Sequence, residues 1–523
     1  MSSQTCFTCH ANDPTSSALR DAAGRGVAPF DLWQASMMAN ATRDPLWRAE
    51  VSVEIAATPS LRSAIEAKCI SCHAPMAKGN ADAAGETLSL ADLGRNDVRA
   101  QLALDGVSCS LCHQITAPTD VSATFGGAYA VNDQREIYGP HDQPLQTPMS
   151  VRTGYLPQKG DHVRRSAHCA SCHTLETHAV RADGTPTNGT LLEQSPYLEW
   201  QNSAFNDETA TPGPDAASCQ SCHVPSSDRD GNAIRTQIAA RGQAGFPINP
   251  RDPVGRHVFV GGNTLVPRIL RDQRAALQPL APDAALDAMV AESRDLLQRS
   301  TARVSVQAPT RTGALLRVPV RVENLSGHKL PTGHPVRRAW LRVVVRDAQG
   351  QVVFASGEHD AEGRLVDQAG RPLASEAAGG PTQPHRQVVT ASDQVQVYQS
   401  LMRDEAGAAT FLLLRAEGYL KDDRLLPRGW SAQHLSAART APVGVAGDAD
   451  FQAGEDTVTY ELSAPLAAGP YRVEASLLYQ PLGARFAAEL FRFRTPEVEA
   501  FKSYYQAAPR TPELVASATR QVP

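Results

Sequence analysis

Ten cysteines fall in the chain as five pairs at i and i+3: Cys6 and Cys9, Cys69 and Cys72, Cys109 and Cys112, Cys169 and Cys172, Cys219 and Cys222. Each pair is followed at once by a histidine: His10, His73, His113, His173 and His223. A disulfide framework accounts for an even cysteine count but leaves the histidines unexplained. Zinc ribbons use Cys-x-x-Cys pairs two at a time, which strands a fifth pair. Cys-x-x-Cys-His is the spacing of covalent c-type haem attachment. Two thiols one helical turn apart can each form a thioether to one of the two vinyl groups along a haem edge. The next residue's imidazole then lies under the iron as proximal ligand. Five repeats with no cysteine left over predict five covalently attached c-type haems.

The sixth position of each iron separates an electron carrier from a catalyst. His162 lies seven residues before Cys169 and His178 five after His173, so the chain itself tethers both near the fourth attachment site. His141 ends Tyr138-Gly139-Pro140-His141, a turn that exposes its ring, and His257 opens the segment His257 to Asn263 after the last site. His328 sits in Gly327-His328-Lys329-Leu330-Pro331-Thr332-Gly333-His334, which reads as a rigid loop able to lend a ligand to a neighbouring domain. Met38 is the alternative donor, and a thioether would raise the potential relative to bis-histidine ligation. The plainer reading of any one of these is a surface or structural histidine, and of Met38 a core residue. His168 adjoins Cys169, which strains its approach to the same haem. His359, His385 and His434 read as surface residues. Arg164-Arg165 and Arg337-Arg338 are candidate partners of haem propionates, or solvated arginines.

The elements that must position these groups change along the chain. Residues 1–250 hold every cysteine, are rich in Pro, Gly, Ser and Asp, and show little long apolar periodicity; a mostly helical and irregular pentahaem domain is expected. Residues 251–305 turn helical: Leu286, Met289, Val290, Ser293, Leu296 and Leu297 fall at helical spacing behind Pro282-Asp283. Over 306–500, the runs 315–322, 340–345, 352–354, 395–398, 457–462 and 471–479 read as strands, with Asp347-Ala348-Gln349-Gly350 as a hairpin turn. An immunoglobulin-like β-sandwich fits that count. Residues 501–523 read as a C-terminal tail with a short helix after Thr495. The fold class is thus α+β and multidomain, with the helical residues 251–305 as connector.

The chain has 523 residues, 42% apolar and 20% charged, with a formal charge of −5. That balance gives no electrostatic reason to expect nucleic acid as a partner. No run of about 18 apolar residues reads as a transmembrane segment. Thioether formation takes place outside the cytoplasmic membrane, so a periplasmic or extracellular location is expected, although no export signal precedes Cys6.

Trp33-Gln34-Ala35-Ser36-Met37-Met38 and Trp200-Gln201-Asn202-Ser203-Ala204-Phe205 share the pattern W-Q-x-S. With Gly106-Val107-Ser108-Cys109, Tyr197 to Trp200, His257 to Asn263, Gly327 to Gly333 and Leu425 to Gly429, these segments resemble a family of multihaem cytochromes c. That family is widespread in environmental bacteria, especially metal-reducing and myxobacterial ones. The first half is also similar to the tetrahaem cytochrome c and hydroxylamine oxidoreductase group, where a W-x-x-S-x-H segment supplies a distal histidine. Here the matching positions carry Met38 and Phe205; the departure favours Met38 as ligand and removes Phe205. The resemblance implies electron transfer between a redox donor and acceptor.

A second reading is a haem reductase or oxidase of a small nitrogen or sulfur compound working at one open haem. Pentahaem nitrite reductases have similar length, but their usual Cys-x-x-Cys-Lys haem site is absent and strands fill the second half. A third is a scaffolding role for the β half in a surface conduit with an outer-membrane porin or a cytochrome filament.

Overall fold

The computed structural model describes residues 2–240, 248–463 and 469–522. Helix and sheet are combined in an α+β chain that divides into two compact units. One comprises Met1–His173 and Ala217–Glu292, and the other Thr174–Ala216 and Ser293–Pro523. All five cysteine pairs belong to the first.

The first unit is built from short helices, among them Gln4–His10, Pro29–Trp33, Pro45–Ala57, Arg62–His73, Pro75–Ala83 and Val98–Ala103. Their starts follow local chemistry. The Asp44 carboxylate accepts from the backbone N–H of Leu46 at 2.9 Å, just ahead of Pro45, whose missing N–H costs nothing at a helix start. Asp97 caps Val98–Ala103 through the Ala100 N–H at 2.8 Å. The apolar clusters here are small: Ala11, Phe30, Trp33 and Ala39 form one, and Val27, Ile234 and Val254 another. The helix Asp283–Ser300 lies where its apolar spacing places it.

The second unit is built on two large sheets. One has the order Val388–Val389, Glu455–Leu462, Leu315–Asn324, Ala302–Val306, with Thr310–Thr312 also on Leu315–Asn324. The other runs Ala409–Thr410, Val397–Arg403, Arg338–Arg346, Tyr471–Gln480, Glu513–Val522, with Tyr419–Asp422 and Val352–Ser356 at its sides. Register places Val458 opposite Val320 in the first sheet and Leu477 opposite Leu341 in the second. Alternate residues point inward, as the two-residue period requires. Val318, Val320 and Val322 of one sheet join Leu341, Val343, Val345, Val473 and Leu477 of the other in a single buried core. Gly350, at φ +78°, closes the expected hairpin turn with its N–H on the Asp347 carbonyl.

Two elements went unread in the sequence. The short helix expected after Thr495 is Pro496–Ala507, and beyond it the residues read as a tail include a strand, Glu513–Val522, that pairs antiparallel with Tyr471–Gln480. Its alternation is diluted by Ala516, Ser517, Ala518 and Thr519, so only Val515 and Val522 mark the inward face. The hairpin Leu175–Val180 with Pro186–Gln194 belongs to the second unit, where Leu191 packs on Met402 and Ala416.

Candidate haem-attachment sites

Among the described residues, none of the ten cysteines is in a disulfide. Four of the five pairs lie on the helices Gln4–His10, Arg62–His73, Cys109–Cys112 and Cys219–His223, which set the two thiols one turn apart. The fourth pair begins on Ala167–Ala170 and ends in the turn that leads to His173.

Four of the histidines that close these motifs have Nδ1 held by a distant backbone carbonyl. His10 Nδ1 lies 2.9 Å from the Ile238 oxygen, His73 Nδ1 3.2 Å from Ala41, His113 Nδ1 2.5 Å from Tyr138, and His223 Nδ1 2.6 Å from Val260. A carbonyl can only accept, so Nδ1 carries the proton and Nε2 keeps its lone pair. This is how a metal-ligating imidazole is oriented and its tautomer chosen. Burial pushes His10 and His113 below the ordinary histidine pKa, which favours the neutral, ligating form. Trp47 stacks on His73 with ring centroids 4.5 Å apart.

The motifs also meet one another by a repeated device. The Cys109 N–H donates to Ser3 Oγ at 3.1 Å, and Ser108 caps its own helix through the Leu111 N–H. In the same way, the Cys219 N–H donates to Ser166 Oγ at 2.9 Å, and Ser218 caps through the Ser221 N–H. Both acceptor serines precede the first cysteine of the partner motif by three residues. The thiols of the paired motifs hydrogen-bond side chain to side chain, Cys6 with Cys109 and Cys169 with Cys219. A third contact joins Cys72 to Cys172. Gly127, at φ +85°, passes between these last two motifs, donating its N–H to the Ser171 carbonyl at 2.7 Å. A Cβ there would lie 2.8 Å from Ser71 Oγ and 3.1 Å from Cys72 Sγ.

Among the histidines expected as second ligands, His257 is placed against a motif histidine. Its ring centroid lies 6.2 Å from that of His113, with 27° between planes, and its Nδ1 is 3.0 Å from the Gly255 carbonyl. Burial pushes its pKa down to about 4, helped by the neighbouring His113 and His10. His162 has Nε2 2.9 Å from the Ile115 carbonyl, and its ring meets Tyr138 edge-on at 4.9 Å. His141 is half-buried beside Arg251 and Arg164, and desolvation lowers its pKa first. Met38 is half-buried, and its carbonyl accepts from the Val107 N–H at 2.9 Å, two residues before Cys109. His178 is exposed on Leu175–Val180, opposite Thr190. His328 lies in the second unit with Nδ1 2.9 Å from the Lys329 carbonyl.

His168 was passed over for its adjacency to Cys169. Its Nδ1 is buried without a hydrogen-bond partner, its other edge bonds to the Cys112 backbone, and its ring lies 5.8 Å from His162. Burial brings its pKa to about 4. Nothing local in the sequence marks it, since the Cys112 backbone that its ring meets lies far from it along the chain. Arg338 is withdrawn as a propionate partner: its guanidinium grips Glu376 at 2.7 and 2.8 Å in the second unit.

The donor set fits a covalent haem. Thiol pairs outside any disulfide, carbonyl-anchored imidazoles and the buried His168 Nδ1 with no partner are what such a group needs. No protein-family model matches the chain, and no curated protein sequence does. Among solved structures it is similar to a penta-heme cytochrome c552 from Thermochromatium tepidum, with 16% identity and a TM-score of 0.53. The match covers 100% of this chain and 99% of that one, so the two share a fold across their whole length.

Proposed function

We propose that the chain is a multihaem c-type cytochrome that carries five covalently attached haems and passes electrons between a redox donor and a redox acceptor. The observation that carries this reading is the repeated geometry of the five Cys-x-x-Cys-His segments, four with both thiols on one helix and four with Nδ1 anchored. The haems supply one-electron redox chemistry, and the chain's part is to hold and tune them.

Cysteine contacts link neighbouring motifs. The first motif neighbours the third, the second neighbours the fourth, and the fourth neighbours the fifth. Cys112 of the third also interacts electrostatically with Cys169 and Cys172 of the fourth. The five motifs thus neighbour one another in a network that branches at the fourth, which supports electron steps between them. His257 would hold the iron of the third site together with His113. His162, His141, Met38 and His328 are the candidates for other irons, joined by His168; His178, exposed on its strand, is the weakest donor.

The domain reading is a pentahaem domain over 1–250, a helical connector over 251–305 and an immunoglobulin-like sandwich from 306 onward. The confinement of cysteines to the first part and the shared core of two sheets in the last support it. The protein works in the periplasm or at the cell surface, where thioethers are made; no helix among the described residues is long and apolar enough to cross a membrane. A porin or a cytochrome filament is a partner that the β half could serve.

EPR of the oxidised protein tests the function. Five low-spin ferric haems are expected of an electron carrier. A high-spin five-coordinate haem in the native protein would instead support reduction or oxidation of a small nitrogen or sulfur compound at that iron.

A further inference from the structure

A second cluster of ligating side chains lies in the unit that carries no cysteine. His385, Asp448 and Asp456 each place a ligand atom within 4.8 Å of the others. They come from separate stretches: His385 from the loop before Val388–Val389, Asp448 from the loop before Glu455–Leu462, and Asp456 from that strand. All three side chains are almost wholly buried, at 5%, 3% and 0% exposure respectively for His385, Asp448 and Asp456.

The surroundings are arranged as around a metal-binding imidazole. Asp423, fully buried, has Oδ2 3.0 Å from His385 Nδ1 and is itself held by Gln396 Nε2 and Lys421 Nζ, each at 3.0 Å. This carboxylate fixes the His385 tautomer and turns Nε2 toward Asp448 Oδ2, 2.9 Å away. Phe451 closes on the ring edge-on at 5.3 Å. Asp448 Oδ1 accepts from the Asp450 N–H at 2.9 Å, which orients that carboxylate. Asp456 takes the Tyr398 hydroxyl on Oδ2 at 2.7 Å, while its Oδ1 is buried with no hydrogen-bond partner. An orphan carboxylate oxygen in a site closed to water is costly unless something positive meets it.

Charge supports the same conclusion. Asp423, Asp448 and Asp456 bring three negative charges and Lys421 one positive. A dication with neutral His385 brings the sum to zero, whereas a protonated His385 alone leaves one negative charge buried. We propose that His385 Nε2, Asp448 and Asp456 bind a zinc-class divalent cation that ties the loops before Val388–Val389 and Glu455–Leu462 together. One imidazole with carboxylates suits zinc or manganese over calcium, which takes oxygen ligands. On binding, the proton between His385 Nε2 and Asp448 leaves to solvent and the cation takes its place.

The test uses the full haem-loaded protein, treated with EDTA, incubated with zinc or manganese, desalted and assayed by elemental analysis. One zinc or manganese per chain is expected beyond the haem iron, with the haem spectrum unchanged. His385→Gln and Asp456→Asn should abolish that equivalent, and Asp423→Asn should weaken binding roughly 10–100-fold, as loss of an outer-shell carboxylate does. Zinc-edge absorption of the wild-type protein should show nitrogen and oxygen neighbours and no sulfur, a readout that needs no variant. Zinc retained equally by all three variants, sulfur in the zinc shell, retention of calcium alone, or no metal in the wild-type protein overturns the proposal.

Discussion

Replacing His257 with alanine should open one iron in five. The ring centroids of His113 and His257 are 6.2 Å apart. Two imidazoles sharing a metal through Nε2 have predictable spacing. Metal–nitrogen bonds are about 2.0–2.1 Å. A ring of bonds near 1.33 Å puts each nitrogen about 1.1 Å from its centroid. Twice the sum is about 6.3 Å, which the observed separation matches within its own precision. Both Nδ1 atoms are bonded to carbonyls, of Tyr138 and Gly255, so Nε2 is the free donor on each ring. His257→Ala leaves all ten cysteines in place, and the pyridine haemochrome assay should still count five haems. EPR should then show about one fifth of the ferric iron as high-spin, and the reduced protein should take up one carbon monoxide per chain. His359→Ala, outside the haem unit, should change neither. If His257→Ala remains entirely low-spin and binds no carbon monoxide, the axial pairing is refuted and the ring separation reflects packing alone.

Other outcomes follow from the buried charges and the motif contacts. Arg338→Met strands the buried Glu376 carboxylate, and urea unfolding of the second unit should register a loss of about 3–5 kcal/mol; the double variant with Glu376→Leu should recover much of it. Asp422 lies between Lys329 Nζ at 2.6 Å and the Arg424 guanidinium at 2.7 Å, and Arg424 with Lys329 holds its carboxyl well below the usual range despite burial. Because the folded pKa is the lower one, its stabilisation is complete above the ordinary carboxylate range and is lost as pH falls through the folded value. Asp422→Asn should therefore destabilise at neutral pH, and its deficit against wild type should shrink in acid unfolding below about pH 4. Ser166→Ala removes the acceptor of the Cys219 N–H, and the stranded donor should cost about 1–3 kcal/mol in the unfolding of the haem unit, with haem content retained.

What could be read from the chain alone was whatever is encoded within a few residues. The Cys-x-x-Cys-His pattern spans five consecutive positions, so all five segments were legible as candidate attachment sites, each with a candidate proximal histidine. Strands such as Leu315–Asn324 and the helix Asp283–Ser300 were legible for the same reason, because the two- and 3.6-residue periods write the buried face directly into neighbouring positions. The strand Glu513–Val522 escaped because its alternation is carried by small residues, and its pairing with Tyr471–Gln480 is a matter of tertiary contact. Tertiary structure alone set which partner each local group meets. His257 comes to His113, Ser3 reaches the Cys109 N–H across 106 positions, and His168 meets the distant Cys112 backbone while its Nδ1 is buried without a partner. His385 read as a surface residue and instead lies buried between Asp423 and Asp448. The physical reason is common to all four: a ligand's identity is a property of the residue, whereas its availability depends on which distant carbonyl, carboxylate or ring the fold brings to its other face.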